Sequence, residues 1–256
     1  STLMRSSAAS DVYKRQILCV TFTNKAAREM SKRIRQMIGD SDTGYICTFH
    51  GFCVKLLRED IHAINFPQNF VVMDDEDTEE ILKTVYENAH IQSRTYTFDS
   101  ARDHITALKS QMLHIPYLAE IGNEKLLADY EKAEKVEDKV FLGYLYEQKK
   151  VYGLDYDDLI TIALYILQTD ETKRIKWQER MMYVMVDEFQ DVSSSQYALA
   201  EILSGYHRNL FIVGDPDQTI YTWRGAQIEY ILEFDETHEN TRTIFLDMNY
   251  RSTPEI

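Results

Sequence analysis

The chain has 256 residues, of which 44% are hydrophobic and 27% are charged, enough for one large domain or two smaller ones with a folded core. Its 42 acidic and 28 basic residues give a net charge of −14, which argues against a simple polyanion binder. No apolar run approaches the roughly 18 residues that a membrane span needs. The cysteines lack CxxC spacing, which predicts reduced thiols in a cytoplasmic protein rather than a zinc site.

The beginning of the chain predicts a parallel sheet. Ile17–Thr23 is a continuous apolar run with β-branched members, typical of a buried parallel strand. A basic helical segment, Asn24–Gln36, follows, and a second strand at Tyr45–Phe49 leads into a second helical segment. This strand–helix–strand–helix order is that of an open parallel sheet. Ser1–Gln16 shows no such pattern and is expected to be foreign to the fold or disordered.

The middle of the chain, from about Asp74 to Thr169, has the periodicity of helices. One of these helices is expected to begin at Asp77 or Thr78, since both residue types cap helix N-termini. The stretch from Asn123 to Gly153 predicts one long helix or two.

Strand patterns return in the last third of the chain. They lie at Tyr183–Val186, Asn209–Gly214 and Thr243–Met248. We therefore expect an α/β fold whose sheet is built from both ends of the chain, with a helical insert between them.

Two carboxylates follow the predicted strand Tyr183–Val186 directly. Asp187 stands where a carboxylate can meet Mg²⁺ through water, and Glu188 can polarise a water that attacks a phosphate. The alternative is an acidic strand end followed by a helix cap, because an apolar run ending in Asp-Glu is common.

Three more features after predicted strands could contact phosphates or bases. Gln218 follows the strand of "IVGDPDQTIYTWRGA" and its amide can bind a phosphate oxygen and the attacking water. Tyr221 and Trp223 lie in a polar irregular segment, where aromatic rings can stack on bases, although a core anchor is the commoner role of tryptophan. Arg251 follows the last predicted strand and can reach a phosphate at the sheet edge, or be a lone surface arginine.

Six motifs in this order make the sequence resemble the UvrD/Rep/PcrA-like DNA helicases of superfamily one, from about Ile17 to Ile256. The motifs are "VTFTNKAAREM", "TFHGFCVKLLR", "YDDLI", "VDEFQDVSSSQ", "VGDPDQTIYTWRGA" and "NYRS". The resemblance implies a RecA-like parallel sheet flanked by helices, called subdomain 1A, with an all-helical insert, called subdomain 1B. Subdomain 1A would comprise residues 17–74 and 169–256, and subdomain 1B residues 75–168.

The resemblance also implies the cofactors ATP and Mg²⁺ and a role for each nucleotide-site residue. Asp187 would coordinate Mg²⁺, and Glu188 would activate the attacking water. Gln218 would sense the γ-phosphate, and Arg251 would contact it.

On the DNA side, the implied partners are single-stranded DNA and duplex junctions, with movement in the 3′-to-5′ direction. The residues implied to lie along the single strand are Phe22, His50, Tyr221 and Trp223. The oligomeric state stays open.

One family motif is missing from this sequence. The phosphate-binding loop, GxxGxGK[ST], should precede Ile17, and no glycine occurs before Gly39. We therefore expect the polypeptide as given, which also ends at the "NYRS" motif, neither to hydrolyse ATP well nor to unwind DNA. Two alternatives are a motor-dead module that binds single-stranded DNA and the motor half of a helicase–nuclease subunit. An unrelated α/β NTPase is disfavoured by "TIYTWRGA".

Overall fold

The computed structural model describes residues 16–39, 44–219 and 226–248. The strands are β1 (Ile17–Thr21), β2 (Tyr45–Thr48), β3 (Val71–Val72), β4 (Gly153–Leu154), β5 (Tyr183–Val186) and β6 (Leu210–Ile212). The helices are α1 (Asn24–Ile38), α2 (Phe49–Asp60), α3 (Asp75–Asn88), α4 (Phe98–Ser110), α5 (Ile115–Leu118), α6 (Glu124–Lys132), α7 (Val136–Lys150), α8 (Tyr156–Thr169), α9 (Glu171–Arg180), α10 (Ser194–Ser204), α11 (Glu229–Leu232) and α12 (Phe234–Thr237).

Four strands form one parallel sheet in the order β2-β1-β5-β6. The two central strands pair in register, with Leu18 opposite Val184 and Val20 opposite Val186. All four of these side chains are 1% exposed, since helices cover the sheet. The α/β class and the parallel sheet flanked by helices are thus confirmed.

Threonines set the direction in which the chain leaves β1 and β2. The Thr23 hydroxyl accepts a hydrogen bond from the Ala26 N–H at 3.1 Å, and the Thr48 hydroxyl accepts one from the Gly51 N–H, also at 3.1 Å. Each bond satisfies a donor that the first helical turn leaves unpaired. Consequently α1 and α2 begin within three residues of a strand end, at the carboxyl edge of the sheet.

The larger apolar cluster surrounds this sheet. It contains Phe52 and Leu56 of α2 and Trp177 of α9, all fully buried. It also contains Leu159 and Ile162 of α8, so this helix shares the core of the sheet. The subdomain boundaries at residues 74 and 169 stay a prediction.

A second apolar cluster lies among the helices of the middle of the chain. Leu82 of α3, Ile105 of α4, Leu126 of α6 and Leu145 of α7 meet in it. The short strands β3 and β4 pair in parallel beside it. No helix in the described parts of the chain is long and apolar enough to cross a membrane.

The last predicted strand and the predicted start of α3 were wrong, and the structure shows how many helices the stretch from residue 123 to 153 contains. Thr243–Met248 is not a strand: no described strand pairs with it, and Phe245 is 85% exposed. Helix α3 is capped by Asp74 instead of Asp77 or Thr78, since Asp74 and Asp77 exchange side-chain-to-backbone hydrogen bonds at 3.0 Å. Residues 123–153 contain two helices, α6 and α7.

Candidate functional site

The carboxyl ends of the four parallel strands meet at one edge of the sheet. Phe22 follows β1, and His50 follows β2 in the first turn of α2. Asp187 follows β5, and Gln218 lies in a short turn after β6. The strand order therefore places the DNA candidates on the β1 and β2 side and the nucleotide candidates on the β5 and β6 side.

Asp187 is held at the end of β5 by the sheet itself. Its N–H donates to the Val20 carbonyl at 2.9 Å, which continues the β1–β5 ladder by one residue. Burial raises the pKa of the Asp187 carboxyl above its ordinary value, and the neighbouring Glu188 carboxylate raises it further. A half-buried carboxyl beside a second carboxylate gains most from a cation, which would stabilise its ionised form.

The donor set fits Mg²⁺ rather than a fully caged metal. No cluster of three or more His, Cys, Asp or Glu ligands occurs among the described residues. Mg²⁺ usually keeps several waters and takes only one or two protein carboxylates together with substrate phosphates. Asp187, with Glu188 beside it, is such a partial oxygen site.

Glu188 adopts an unusual backbone conformation. Its φ of 54° and ψ of 43° lie in the left-handed region, which costs a residue with a side chain about 1–3 kcal/mol. The turn sends the chain from β5 into a 3₁₀ turn at Phe189–Asp191 and leaves the Glu188 side chain exposed at the sheet edge.

Gln190 connects the β5 and β6 loops, and sequence reasoning missed it. Its side chain is 1% exposed. Its Nε2 donates to Glu188 Oε2 at 2.9 Å, and its Oε1 accepts from the Asp215 N–H at 3.0 Å. No local pattern identifies it, because its burial and its partners depend on how the β6 loop packs against the β5 loop.

The β6 loop approaches Gln190 closely. A Cβ atom at Gly214 would lie 2.6 Å from Gln190 Oε1 and 3.1 Å from the Phe189 nitrogen, so only glycine fits without a shift. Beyond it, Gln218 Nε2 donates to Asp215 Oδ2 at 2.6 Å, which orients the exposed Gln218 amide. Gln218 and Glu188 are thus linked through Asp215 and Gln190.

On the other side of the edge, His50 packs against a tyrosine that follows β4. The His50 and Tyr156 rings meet edge to face, with centroids 5.3 Å apart. Burial lowers the pKa of His50, and the nearby Asp157 carboxylate opposes that change. Asp157 also accepts a hydrogen bond from the Thr106 hydroxyl of α4 at 2.7 Å. The "YDDLI" motif therefore supports the His50 ring, a function that the sequence did not assign to it.

The remaining candidates were Tyr221, Trp223 and Arg251. All three lie outside the described residues, and their roles stay predictions.

Comparison with known proteins agrees with the motif pattern. Residues 3–239 match the UvrD/REP helicase N-terminal domain, a range that begins within the segment expected to be foreign to the fold. The chain is 36% identical over 247 residues to ATP-dependent DNA helicase PcrA of Staphylococcus aureus, and to that of Staphylococcus epidermidis. The alignment covers 96% of this chain and 33% of each relative, so the chain spans about a third of the length of the curated relatives it matches.

The family match covers well over half of the chain, and the matched region contains the sheet edge where Asp187, Glu188 and Gln218 lie. This chain belongs to the UvrD/REP helicase family and contains its N-terminal domain.

Proposed function

We propose that the chain is the ATP-binding part of a DNA helicase that couples ATP hydrolysis to 3′-to-5′ movement along single-stranded DNA and to unwinding at duplex junctions. The observation that carries the proposal is the linked set Glu188, Gln190, Asp215 and Gln218 beside Asp187. It lies on the same sheet edge as Phe22 and His50. A nucleotide site and a DNA site can therefore influence each other through one set of loops.

Each nucleotide-side residue has a physical basis for its proposed role. Asp187 would hold Mg²⁺, because burial and the Glu188 charge disfavour its ionised carboxylate unless a cation is bound beside it. Glu188 would accept the proton of the attacking water, with its carboxylate oriented by the Gln190 amide. Bound ATP and Mg²⁺ would supply the electrophilic phosphorus and the neutralising charge. Gln218, exposed at the end of the β6 loop and hydrogen-bonded to Asp215, would report phosphate occupancy to the DNA side.

The DNA side is proposed to include Phe22, His50, Tyr221 and Trp223, and Arg251 is proposed to contact the γ-phosphate. The described pair has a stacking face at Phe22 and a neutral imidazole at His50, whose pKa is lowered by burial. We place the protein in the cytoplasm, where its substrate lies and where its three free cysteines stay reduced.

A second candidate is a module that binds single-stranded DNA without turning over ATP. The 256 residues contain no GxxGxGK[ST] run, so the polypeptide by itself has no phosphate-binding loop to join with Asp187.

The test is binding of a fluorescein-labelled oligothymidylate, followed by fluorescence anisotropy, to the wild type and to Phe22→Ala. We expect the substitution to weaken binding by about 1–3 kcal/mol, the usual contribution of one stacked base. Ile121→Ala, at an exposed apolar side chain of the middle segment, is the matched control and should leave binding unchanged. Equal affinities of wild type and Phe22→Ala would contradict the proposed DNA track.

A further inference from the structure

A groove lies between α1 and the edge strand β2, on the outer side of the sheet. It encloses about 620 Å³. Ile46 and Cys47 of β2 form its apolar wall, and the polar side chains of α1 form the other wall. Helix α1 buries only Ala27 against the sheet, so most of its surface remains available to a ligand.

The polar lining of this groove is positively charged or neutral, so it favours an anionic ligand. It consists of three cations, Arg28, Lys32 and Arg35, together with Asn24, Ser31 and Gln36. Among the described residues that line the groove none is acidic, although the chain has 42 acidic residues and a net charge of −14. The groove lining is therefore positively charged in a chain whose net charge is negative.

No described carboxylate pairs with the three cations of the groove. Within the described parts of the chain, neither Arg28, Lys32 nor Arg35 has an ion-pair partner, whereas the neighbouring Arg33 contacts Glu29 at 2.8 Å. These charges are therefore available to an external anion.

The spacing of the cations fits a chain of phosphates better than a single one. Seven residues separate Arg28 from Arg35, a rise of about 10 Å along a helix. The groove begins at Asn24, two residues after Phe22 at the sheet edge. A strand of DNA that leaves the edge near Phe22 would meet Arg28, Lys32 and Arg35 in succession.

We propose that the groove between α1 and β2 binds the phosphodiester backbone of single-stranded DNA through Arg28, Lys32 and Arg35. The inference deepens the proposed function, since it extends the DNA path from Phe22 along the outer face of α1. Contacts of this kind supply affinity and position the strand without reading its sequence.

The first measurement is the salt dependence of oligothymidylate binding. The combined variant Arg28→Ala/Lys32→Ala/Arg35→Ala keeps good helix formers in α1 and is checked for folding by circular dichroism. Loss of three phosphate contacts should make the slope of log K against log salt concentration shallower by about 2, because each contact on a single strand contributes roughly 0.7. The control Arg94→Ala/Lys132→Ala/Lys135→Ala removes the same charge at exposed positions outside the groove and should keep the slope.

The second measurement locates the strand. Cys47 is half-buried in the groove wall, whereas Cys19 and Cys53 are buried, and burial raises the pKa of all three thiols. Alkylation of each cysteine is followed by mass spectrometry with and without oligothymidylate. We expect the DNA to slow alkylation of Cys47 in the wild type, with the protection lost in the groove variant.

The outcomes separate the inference from the proposed function. The groove proposal is wrong if the groove variant and its control have the same salt slope, or if DNA does not protect Cys47 from alkylation. In either case the Phe22→Ala measurement still tests the proposed DNA path at the sheet edge. If the groove variant loses binding while Phe22→Ala does not, the groove stands and the Phe22 track fails. A wild type that does not bind oligothymidylate at low salt overturns both.

Discussion

At the scale of single residues, Gln190 has the clearest structural consequence in the site. Its amide satisfies Glu188 and Asp215 at once, and its buried position excludes water as a substitute partner. Glu188 itself is identifiable from the sequence because it follows a strand. Gln190 is not, since its importance depends on how closely the β6 loop approaches the β5 loop.

Gln190→Leu should lower the free energy of unfolding by about 1–3 kcal/mol, because it removes the hydrogen bonds to the Glu188 carboxylate and from the Asp215 N–H. Urea denaturation followed by circular dichroism measures the change. The exposed Gln92→Leu is the matched control and should stay within about 0.5 kcal/mol of the wild type. Equal stabilities of the two variants would show that the Gln190 link is dispensable for folding.

At the scale of elements, a buried polar network joins α4, α7 and the start of α8. Lys109 Nζ lies 2.5 Å from Asp155 Oδ2 and 2.8 Å from Asp158 Oδ1, and Tyr144 donates to Asp155 at 2.7 Å. Gln148 donates to Asp158 as well. Lys109 is fully buried, and its ammonium pairs with two aspartates that also form the capping box of α8.

Lys109→Met should destabilise the chain by about 3–5 kcal/mol, because it leaves the buried Asp155 and Asp158 without their cation. The measurement is chemical denaturation near neutral pH. Lys83→Met is the control: Lys83 is exposed and pairs with Glu79 on one face of α3, so its loss should cost less than about 1 kcal/mol. A Lys109→Met protein as stable as this control would refute a structural role for the network.

The same network makes stability depend on pH through His114. Burial, together with the Lys109 ammonium, lowers the pKa of His114 to about 3, so it stays neutral in the folded chain. In the unfolded chain it takes up a proton as the pH falls below about 6.5. The unfolded state then binds more protons, and stability falls as the pH falls from about 6.5 towards 3, by about 2 kcal/mol between pH 7 and pH 5.

His114→Gln should remove this loss, which urea denaturation at several pH values can measure. Asp158 acts in the opposite direction, because burial raises its pKa to about 7 and the folded state holds the extra proton. Because Asp158 Oδ1 lies 3.3 Å from His114 Nε2, wild type and variant are also compared in an Asp158→Asn background. The exposed His62→Gln is the control and should keep the wild-type pH dependence. The prediction fails if His114→Gln keeps it too.

At the scale of the whole molecule, nucleotide turnover needs donors to the phosphates as well as carboxylates at the sheet edge. Asp187 and Glu188 supply carboxylates, but no GxxGxGK[ST] run supplies backbone N–H donors and a lysine for the phosphates. We therefore expect phosphate release from ATP by this polypeptide to stay near background, with and without oligothymidylate. DNA-stimulated release that Glu188→Gln abolishes would contradict this expectation.

Several features of this protein could be predicted from the sequence alone. The strand β1 has a continuous apolar run because both of its faces are buried, and Asp187 and Glu188 directly follow the similar run of β5. Short motifs of this kind encode local backbone geometry and chemistry, so the family and its candidate residues were recognisable from their order. The α/β class followed from the alternation of strand and helix patterns.

The tertiary structure decided what depends on a distant neighbour. Thr243–Met248 has a strand's composition but no described strand to pair with, and composition cannot supply that partner. Lys109 looks like any helical lysine until two carboxylates from the start of α8 meet it in the core. Likewise, the basic residues of α1 were visible as a charge pattern, and only their position against β2 forms a groove. Each case turns on the packing of elements far apart in the chain, which no local pattern of residues encodes.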